Sequence, residues 1–70
     1  MFKNDDICIK DNVLYLRDPR VRIPFEYIKS LEVISTSGKD KLIFRTTNGY
    51  EYTAEAEAKD VMKITYLLTK

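Results

Sequence analysis

Residues 41–53 read KLIFRTTNGYEYT. Apolar and polar side chains alternate on both sides of Asn48-Gly49, which is typical of two strands joined by a tight turn. A two-residue turn would place Thr47 opposite Tyr50, whereas a three-residue loop over residues 47–49 would shift the pairing by one residue. Because side chains alternate between the two faces of a strand, that shift exchanges the faces of the whole hairpin.

Burial favours the three-residue loop, with Gly49 as the residue that forms the bulge. In that register Arg45 lies opposite Glu51 on one face, where the two side chains can form an ion pair. The other face then carries the apolar pairs Phe44–Tyr52 and Leu42–Ala54. We therefore predict a bulged turn, an ion pair on the outside and an apolar inner face.

Beyond this hairpin the apolar period becomes that of an amphipathic helix, which we expect to begin at Ala54. Thr53 is the expected N-cap, and Glu55 and Glu57 suit a first turn because acids there interact favourably with the helix dipole. We expect one stripe of this helix to pack on the inner face of the hairpin and to form the main core. The stripe comprises Ala54, Ala58, Val61, Ile64, Thr65 and Leu68.

The N-terminal third of the chain also has a strand pattern. Residues 7–16 should form a hairpin around an Asp11-Asn12 turn. Pro19 interrupts the alternation, which then resumes at residues 21–25. Pro24 restricts that strand to the edge of a sheet or ends it early, because it has no N–H group.

The middle of the chain is less regular. Residues 25–30 suit either a strand or a short helical turn, and strands follow at 31–36 and 41–47. A surface turn over residues 37–40 joins these two strands, and we expect Gly38 to adopt a positive φ in it.

These elements predict a single α+β domain over residues 1–70. Its antiparallel sheet would have five to six short strands, as a partly open barrel or roll closed by one C-terminal amphipathic helix. Seventy residues are near the lower limit for a self-sufficient core. With Cys8 as the lone cysteine and no histidine, neither an internal disulfide nor a structural zinc site is available. A well-packed core or a second chain remains as a source of stability, and we expect homodimerisation.

Composition narrows the function class. A net charge of +1 argues against a protein dedicated to nucleic acid or to a membrane surface. The N-terminal residues lack the apolar core of a signal peptide, and no apolar run approaches the roughly 20 residues that span a bilayer. Together with the lone thiol, these features predict a cytoplasmic protein.

An enzymatic function is not predicted. Without histidine, acid–base chemistry would need carboxylates, lysine or tyrosine in a desolvated site. The adjacent carboxylates Asp5-Asp6 belong to a segment that we expect to fray, and no activating base lies near Cys8 in the sequence. We predict no catalytic activity, no cofactor and no metal.

A protein partner is the leading functional hypothesis. The hairpin over residues 7–16 looks apolar on both faces, and one helix cannot cover both of them. We therefore place a partner or homodimer interface on this hairpin. Its residues would be Ile7, Ile9, Leu14 and Leu16.

The alternative hypothesis is a nucleic-acid-binding accessory protein. Arg17, Arg20 and Arg22 cluster near Tyr15 and Tyr27, as in surfaces that contact phosphates and stack on bases. The acids Asp11, Asp18 and Glu26 are interspersed and could neutralise the cluster. Further candidate contacts are Lys41 and Arg45. A second basic surface, Lys59, Lys63 and Lys70 with Tyr66, is typical of any exposed helix face.

Residues 23–33, IPFEYIKSLEV, resemble the IP(W/F)xxIxxV segment of bacterial PH-like and GRAM-like domains. The strand at 41–46, the glycine turn, the strand at 50–52 and the terminal helix extend the resemblance over residues 7–70. It implies a binding scaffold whose relatives bind lipid headgroups, peptides or proteins. Such small domains are frequent among bacterial and phage accessory proteins. The first segment also resembles LytTR-type DNA-binding domains.

Overall fold

The computed structural model describes residues 2–18 and 20–69, so the predictions made for Pro19 and Lys70 lie outside the described residues. Within those ranges the chain forms seven strands, one 3₁₀ turn and one α-helix. The elements are β1 (Phe2–Lys3), β2 (Ile7–Lys10), β3 (Val13–Leu16), β4 (Val21–Pro24), the 3₁₀ turn (Phe25–Tyr27), β5 (Ile28–Ile34), β6 (Asp40–Thr46), β7 (Glu51–Ala56) and α1 (Ala58–Thr69).

The strands form two antiparallel sheets, in the orders β1-β2-β3-β4 and β5-β6-β7. The predicted α+β class with one C-terminal helix is confirmed, but the single sheet of five to six strands is wrong, and no closed barrel forms. The sheets separate after Pro24, which lies in an edge strand as expected and cannot donate a ladder hydrogen bond. The 3₁₀ turn that follows redirects the chain into β5. Of the two structures predicted for residues 25–30, the helical turn forms at residues 25–27 and a strand begins at residue 28.

The first hairpin has the expected two-residue turn. Asp11 and Asn12 both have positive φ, at 53° and 62°, which is the requirement of a type I′ turn. This turn pairs Lys10 with Val13 and therefore Ile9 with Leu14. Residues that face each other across an antiparallel pair lie on the same side of the sheet, so all four isoleucines and leucines of the hairpin share one face.

Strand β1 was not predicted, because two residues show no periodicity. It pairs with β2, and Phe2 lies opposite Ile9 with 8% of its surface exposed. The turn after β1 is held by Asn4, whose Oδ1 accepts hydrogen bonds from the backbone N–H groups of Asp6 (2.9 Å) and Ile7 (2.7 Å). These hydrogen bonds give the segment around Asp5-Asp6 a defined turn.

The bulged turn of the second hairpin is confirmed. The backbone N–H of Thr46 donates to the Tyr50 carbonyl at 2.9 Å, and Gly49 has a φ of 91°. The predicted register follows, with Phe44 opposite Tyr52. A positive φ for Gly38 is not observed, because the longer connection between β5 and β6 can turn without one.

The helix begins later than predicted. Strand β7 continues to Ala56, which pairs with Asp40 and is 2% exposed, so neither Ala54 nor the proposed cap Thr53 belongs to the helix. The Glu57 carbonyl instead accepts the first helical hydrogen bonds, from Asp60 at 2.9 Å and Val61 at 3.0 Å. Extending the sheet buries Ala56, and this tertiary gain outweighs the helix propensity of an Ala/Glu-rich segment.

One core lies between the inner faces of the two sheets and α1. Of the predicted helical stripe, Val61 and Ile64 are buried in this core with Leu42 and Phe44 as expected, and Leu68 packs against it while partly buried. Ala58 is exposed instead. The buried cluster comprises Phe2, Ile7, Ile9, Leu14, Leu16, Ile23, Leu42, Phe44, Ala56, Val61 and Ile64.

Candidate functional site

The predicted interface residues do not form a surface. Ile7, Ile9, Leu14 and Leu16 are 1%, 3%, 0% and 4% exposed, because the register of the first hairpin turns all of them toward the core. The hairpin therefore buries its isoleucine and leucine side chains on one face, and its other face carries Cys8, Lys10, Val13 and Tyr15. Its other face is the one that remains available to a ligand.

The outer face of the first sheet carries a row of residues that crosses all four strands. Lys3 lies opposite Cys8, Cys8 opposite Tyr15, and Tyr15 opposite Arg22. Lys10 follows Cys8 on the same face of β2, two residues along. The three cations are exposed, Tyr15 is 37% exposed and Cys8 is half-buried. We call Lys3, Cys8, Lys10, Tyr15 and Arg22 the basic face.

The three arginines of the sequence cluster occupy two different settings. Arg22 belongs to the basic face, whereas Arg17 and Arg20 are exposed in the connection between β3 and β4. The Nη1 group of Arg17 donates to the backbone carbonyl of Asp5 at 3.3 Å. The structure thus places Arg22 on the same sheet face as Lys3 and Lys10, two cations outside the predicted arginine cluster.

The outer face of the second sheet is also charged, but it carries acids beside its cations, and Arg45 is ion-paired. The Arg45 guanidinium contacts Glu32 Oε1 through Nη1 at 2.9 Å and Glu51 Oε2 through Nε at 3.1 Å. The hydrogen bond with Glu32 raises the pKa of Arg45 above its ordinary value. Lys41 lies opposite Glu55 in the same sheet. We call Glu32, Lys41, Arg45, Glu51 and Glu55 the ion-paired face; its two cations already have acidic neighbours and suit a phosphate ligand poorly.

The second sheet has a long edge strand. Strand β5 runs for seven residues and is hydrogen-bonded to β6 on one side only. A bulge interrupts its pairing between Ile28 and Ser30. Its second half is regular, and Val33 and Ile34 are each 40% exposed there. We call residues 31–34 the open edge.

Grooves border the helix, and two of them lie against the first sheet. The first, of about 560 Å³, lies between β1 and α1 and includes Phe2, Met62 and Tyr66. The second, of about 730 Å³, lies at the end of the first hairpin and includes Val13 and Pro24. On the helix itself Lys59 and Lys63 are exposed, as is usual for a solvent-facing helix side.

The Cys8 thiol lines neither groove, and it has neutral or cationic neighbours within its row. Among residues 2–18 and 20–69, no three Asp, Glu or Cys side chains are grouped closely enough to hold a metal ion. In the same ranges no helix is both long and apolar enough to cross a membrane. Comparison of the chain with protein-family models, curated proteins and solved structures gave no match.

Of the two added cations, Lys10 could have been assigned to this face from the sequence. The Asp11-Asn12 turn pairs Lys10 with Val13, and this single pairing assigns every residue of β2 and β3 to a face. Lys10 then belongs with Tyr15 rather than with Leu14. Lys3 required knowledge of β1, which has no pattern of its own.

Proposed function

We propose that this chain is a small, cytoplasmic, non-catalytic protein-binding module of bacterial or phage type that forms a homodimer through its open edge. The observation that carries the proposal is the free side of β5, where Val33 and Ile34 are each 40% exposed at the end of a regular strand. An edge strand presents unpaired N–H and C=O groups, which another strand can satisfy.

Only half of β5 is protected against such pairing. A bulge between Ile28 and Ser30 distorts the first half, and bulges are a usual way to block an edge. In the second half the charged side chain is Glu32, which is held by Arg45 on the outer face. A strand added beside residues 31–34 would cover Val33 on one face and Ile34 on the other.

The occupant that we propose is a second copy of this chain. A 70-residue domain has a small core, and association is one way to compensate for it. Two identical edges can pair antiparallel around a two-fold axis, which gives a closed dimer. A pairing centred on Glu32 is disfavoured, because two like charges would then face each other.

The resemblance to PH-like and GRAM-like domains is part of this proposal. Support comes from the order of elements after residue 23, with a strand, a glycine turn, a further strand and a terminal helix. A fold of this kind serves many ligands, so the surface rather than the fold carries the functional argument.

The test is analytical ultracentrifugation of the wild-type chain and of a V33K/I34K double variant, with M62K as the matched control. Met62 is 75% exposed on the helix, so the control places a lysine on a different apolar surface. We expect a wild-type dimer, a monomeric edge variant with an unchanged circular dichroism spectrum, and a dimeric control. A wild-type monomer at all concentrations, or dissociation by M62K alone, would reject the proposal.

A further inference from the structure

We propose that the basic face binds single-stranded nucleic acid, through phosphate contacts from Lys3, Lys10 and Arg22 and base stacking on Tyr15. This activity is independent of the open edge, which belongs to the other sheet.

The first argument is charge. Every ionisable side chain that points outward from β1, β2, β3 or β4, apart from the Cys8 thiol and the Tyr15 phenol, is a cation. The nearby acids lie outside these strands, with Asp11 in the hairpin turn and Asp18 beyond the end of β3. Within residues 2–18 and 20–69 the salt bridges all involve Arg45, so the three cations of this face have no ion-pair partner there. Unpaired cations on one sheet face are complementary to a polyanion.

The second argument is spacing. Lys3 and Arg22 are three strand positions apart, which corresponds to about 14 Å across the sheet. Tyr15 lies between them, one strand from Arg22, with 37% of its surface exposed. Proteins that hold single strands without sequence preference combine a cationic track with aromatic rings on which bases stack. The row across this sheet contains both components.

The shape of the surface distinguishes among anionic ligands. A duplex is read by an element that enters a groove, usually a helix or a two-stranded ribbon, whereas this face is a sheet of four strands. A membrane interface takes up large apolar side chains between the headgroups, and Tyr15 is the one large aromatic side chain in the row. A flexible single strand can follow the sheet and place a base on the ring.

The binding test is fluorescence anisotropy with an end-labelled 15-nucleotide oligothymidine. Three phosphate contacts predict a log–log salt slope near −2, so affinity should fall about 20-fold between 50 and 200 mM salt. The K10E/R22E variant should weaken binding at least tenfold. The matched control K59E/K63E makes the same change in net charge on the helix, and its affinity should stay within about twofold of wild type. Equal losses in both variants would reject this face as the site.

A conservative pair tests the stacking role of Tyr15. The Y15A variant should weaken binding about fivefold or more, whereas Y15F, which keeps the ring, should bind like wild type. An unchanged circular dichroism spectrum for each variant separates lost contacts from lost folding. A Y15A variant that binds normally would contradict the stacking role.

Cys8 offers a measurement on the unmodified protein. It is the lone cysteine and lies in the row between Lys3 and Tyr15, half-buried. Saturating oligothymidine should slow its alkylation by iodoacetamide several-fold, while the same concentration of duplex should slow it less. No anisotropy change at 50 mM salt, no protection of Cys8, or binding to phosphatidylserine vesicles but not to the oligonucleotide would each overturn the proposal.

Discussion

The two outer faces of this small domain both carry cations, but only one of them places carboxylates beside those cations. On the ion-paired face a single guanidinium, that of Arg45, bridges Glu32 of β5 and Glu51 of β7. On the basic face Lys3, Lys10 and Arg22 are exposed without such partners among the described residues. Neighbouring carboxylates therefore compensate the charge of Arg45 on the ion-paired face, whereas the cations of the basic face have no such compensation.

The difference shows that charged side chains on a sheet can either stabilise the fold or remain available to a ligand. Cross-strand pairs of opposite charge stabilise a sheet modestly, whereas like charges on adjacent strands do not. Arg45 therefore helps to hold the three strands of the second sheet in register, while the cations of the basic face contribute little to the register of the four strands of the first sheet. The ligand proposed for the basic face would account for their placement, and each prediction below bears on the contrast between the two faces.

The largest effect should come from the core that both faces share. Replacing Phe44, which is fully buried, with Ala should lower the free energy of unfolding by about 3–5 kcal/mol. Because a domain of this size has little stability to lose, we expect the variant to be largely unfolded by circular dichroism. Y27A is the control, since Tyr27 is 53% exposed and its removal should cost far less. A native-like spectrum for F44A would mean that the sheets do not depend on one core.

The bulged turn determines which side chains form the ion-paired face, and its glycine should be the next most sensitive position. At a φ of 91°, Gly49→Ala should cost about 1 kcal/mol of backbone strain in urea unfolding. Gly38→Ala is the matched control. Gly38 does not have a positive φ and has open space around its Cβ position, so this change should be neutral or slightly stabilising. Equal losses at both glycines would contradict the assigned role of the turn.

Breaking the ion-paired face should have a smaller and salt-dependent effect. R45Q leaves Glu32 and Glu51 without their shared partner, so we expect a modest loss of stability at low salt. The loss should shrink in 0.5 M salt, because screening weakens interactions between exposed charges. Urea unfolding at the two salt concentrations measures it. A loss that is independent of salt would indicate that Arg45 acts through packing instead.

The smallest effect on stability is expected from the basic face. R22Q removes a cation that has no ion-pair partner among the described residues, so the free energy of unfolding should change by less than about 0.5 kcal/mol. Compared directly with R45Q in the same urea series, it isolates the contrast between the two faces. A cost greater than that of R45Q would show that the basic face stabilises the fold after all.

Local chemistry made some of these features predictable. The bulged turn was predictable from Asn48-Gly49, because the register that it sets places Phe44 and Tyr52 together on the buried face. The helix was recognisable from its period, but its start was not, because the burial of Ala56 depends on a pairing with Asp40 that lies outside the local sequence.

The candidate site was harder to predict for a related reason. The inward turn of Leu14 and Leu16 is decided by the pairing of β3 with β2 rather than by either strand alone. Lys3 lies in the same row as Arg22 only because the two-residue strand β1 pairs with β2. A surface assembled from four separate strands leaves no recognisable pattern in any single segment of the sequence. The pattern of a hairpin, in contrast, lies within one continuous segment.

The three-residue loop at residues 47–49 also limits how this chain can change in length. Successive residues of a strand point to opposite faces, so a shift of the β7 register by one residue would exchange the side that meets the core. Such a shift would turn Ala54 and Ala56 outward and bring Glu51 and Glu55 toward Phe44. A residue added at this turn is therefore tolerated only where the loop grows to absorb it and leaves the strand pairing unchanged.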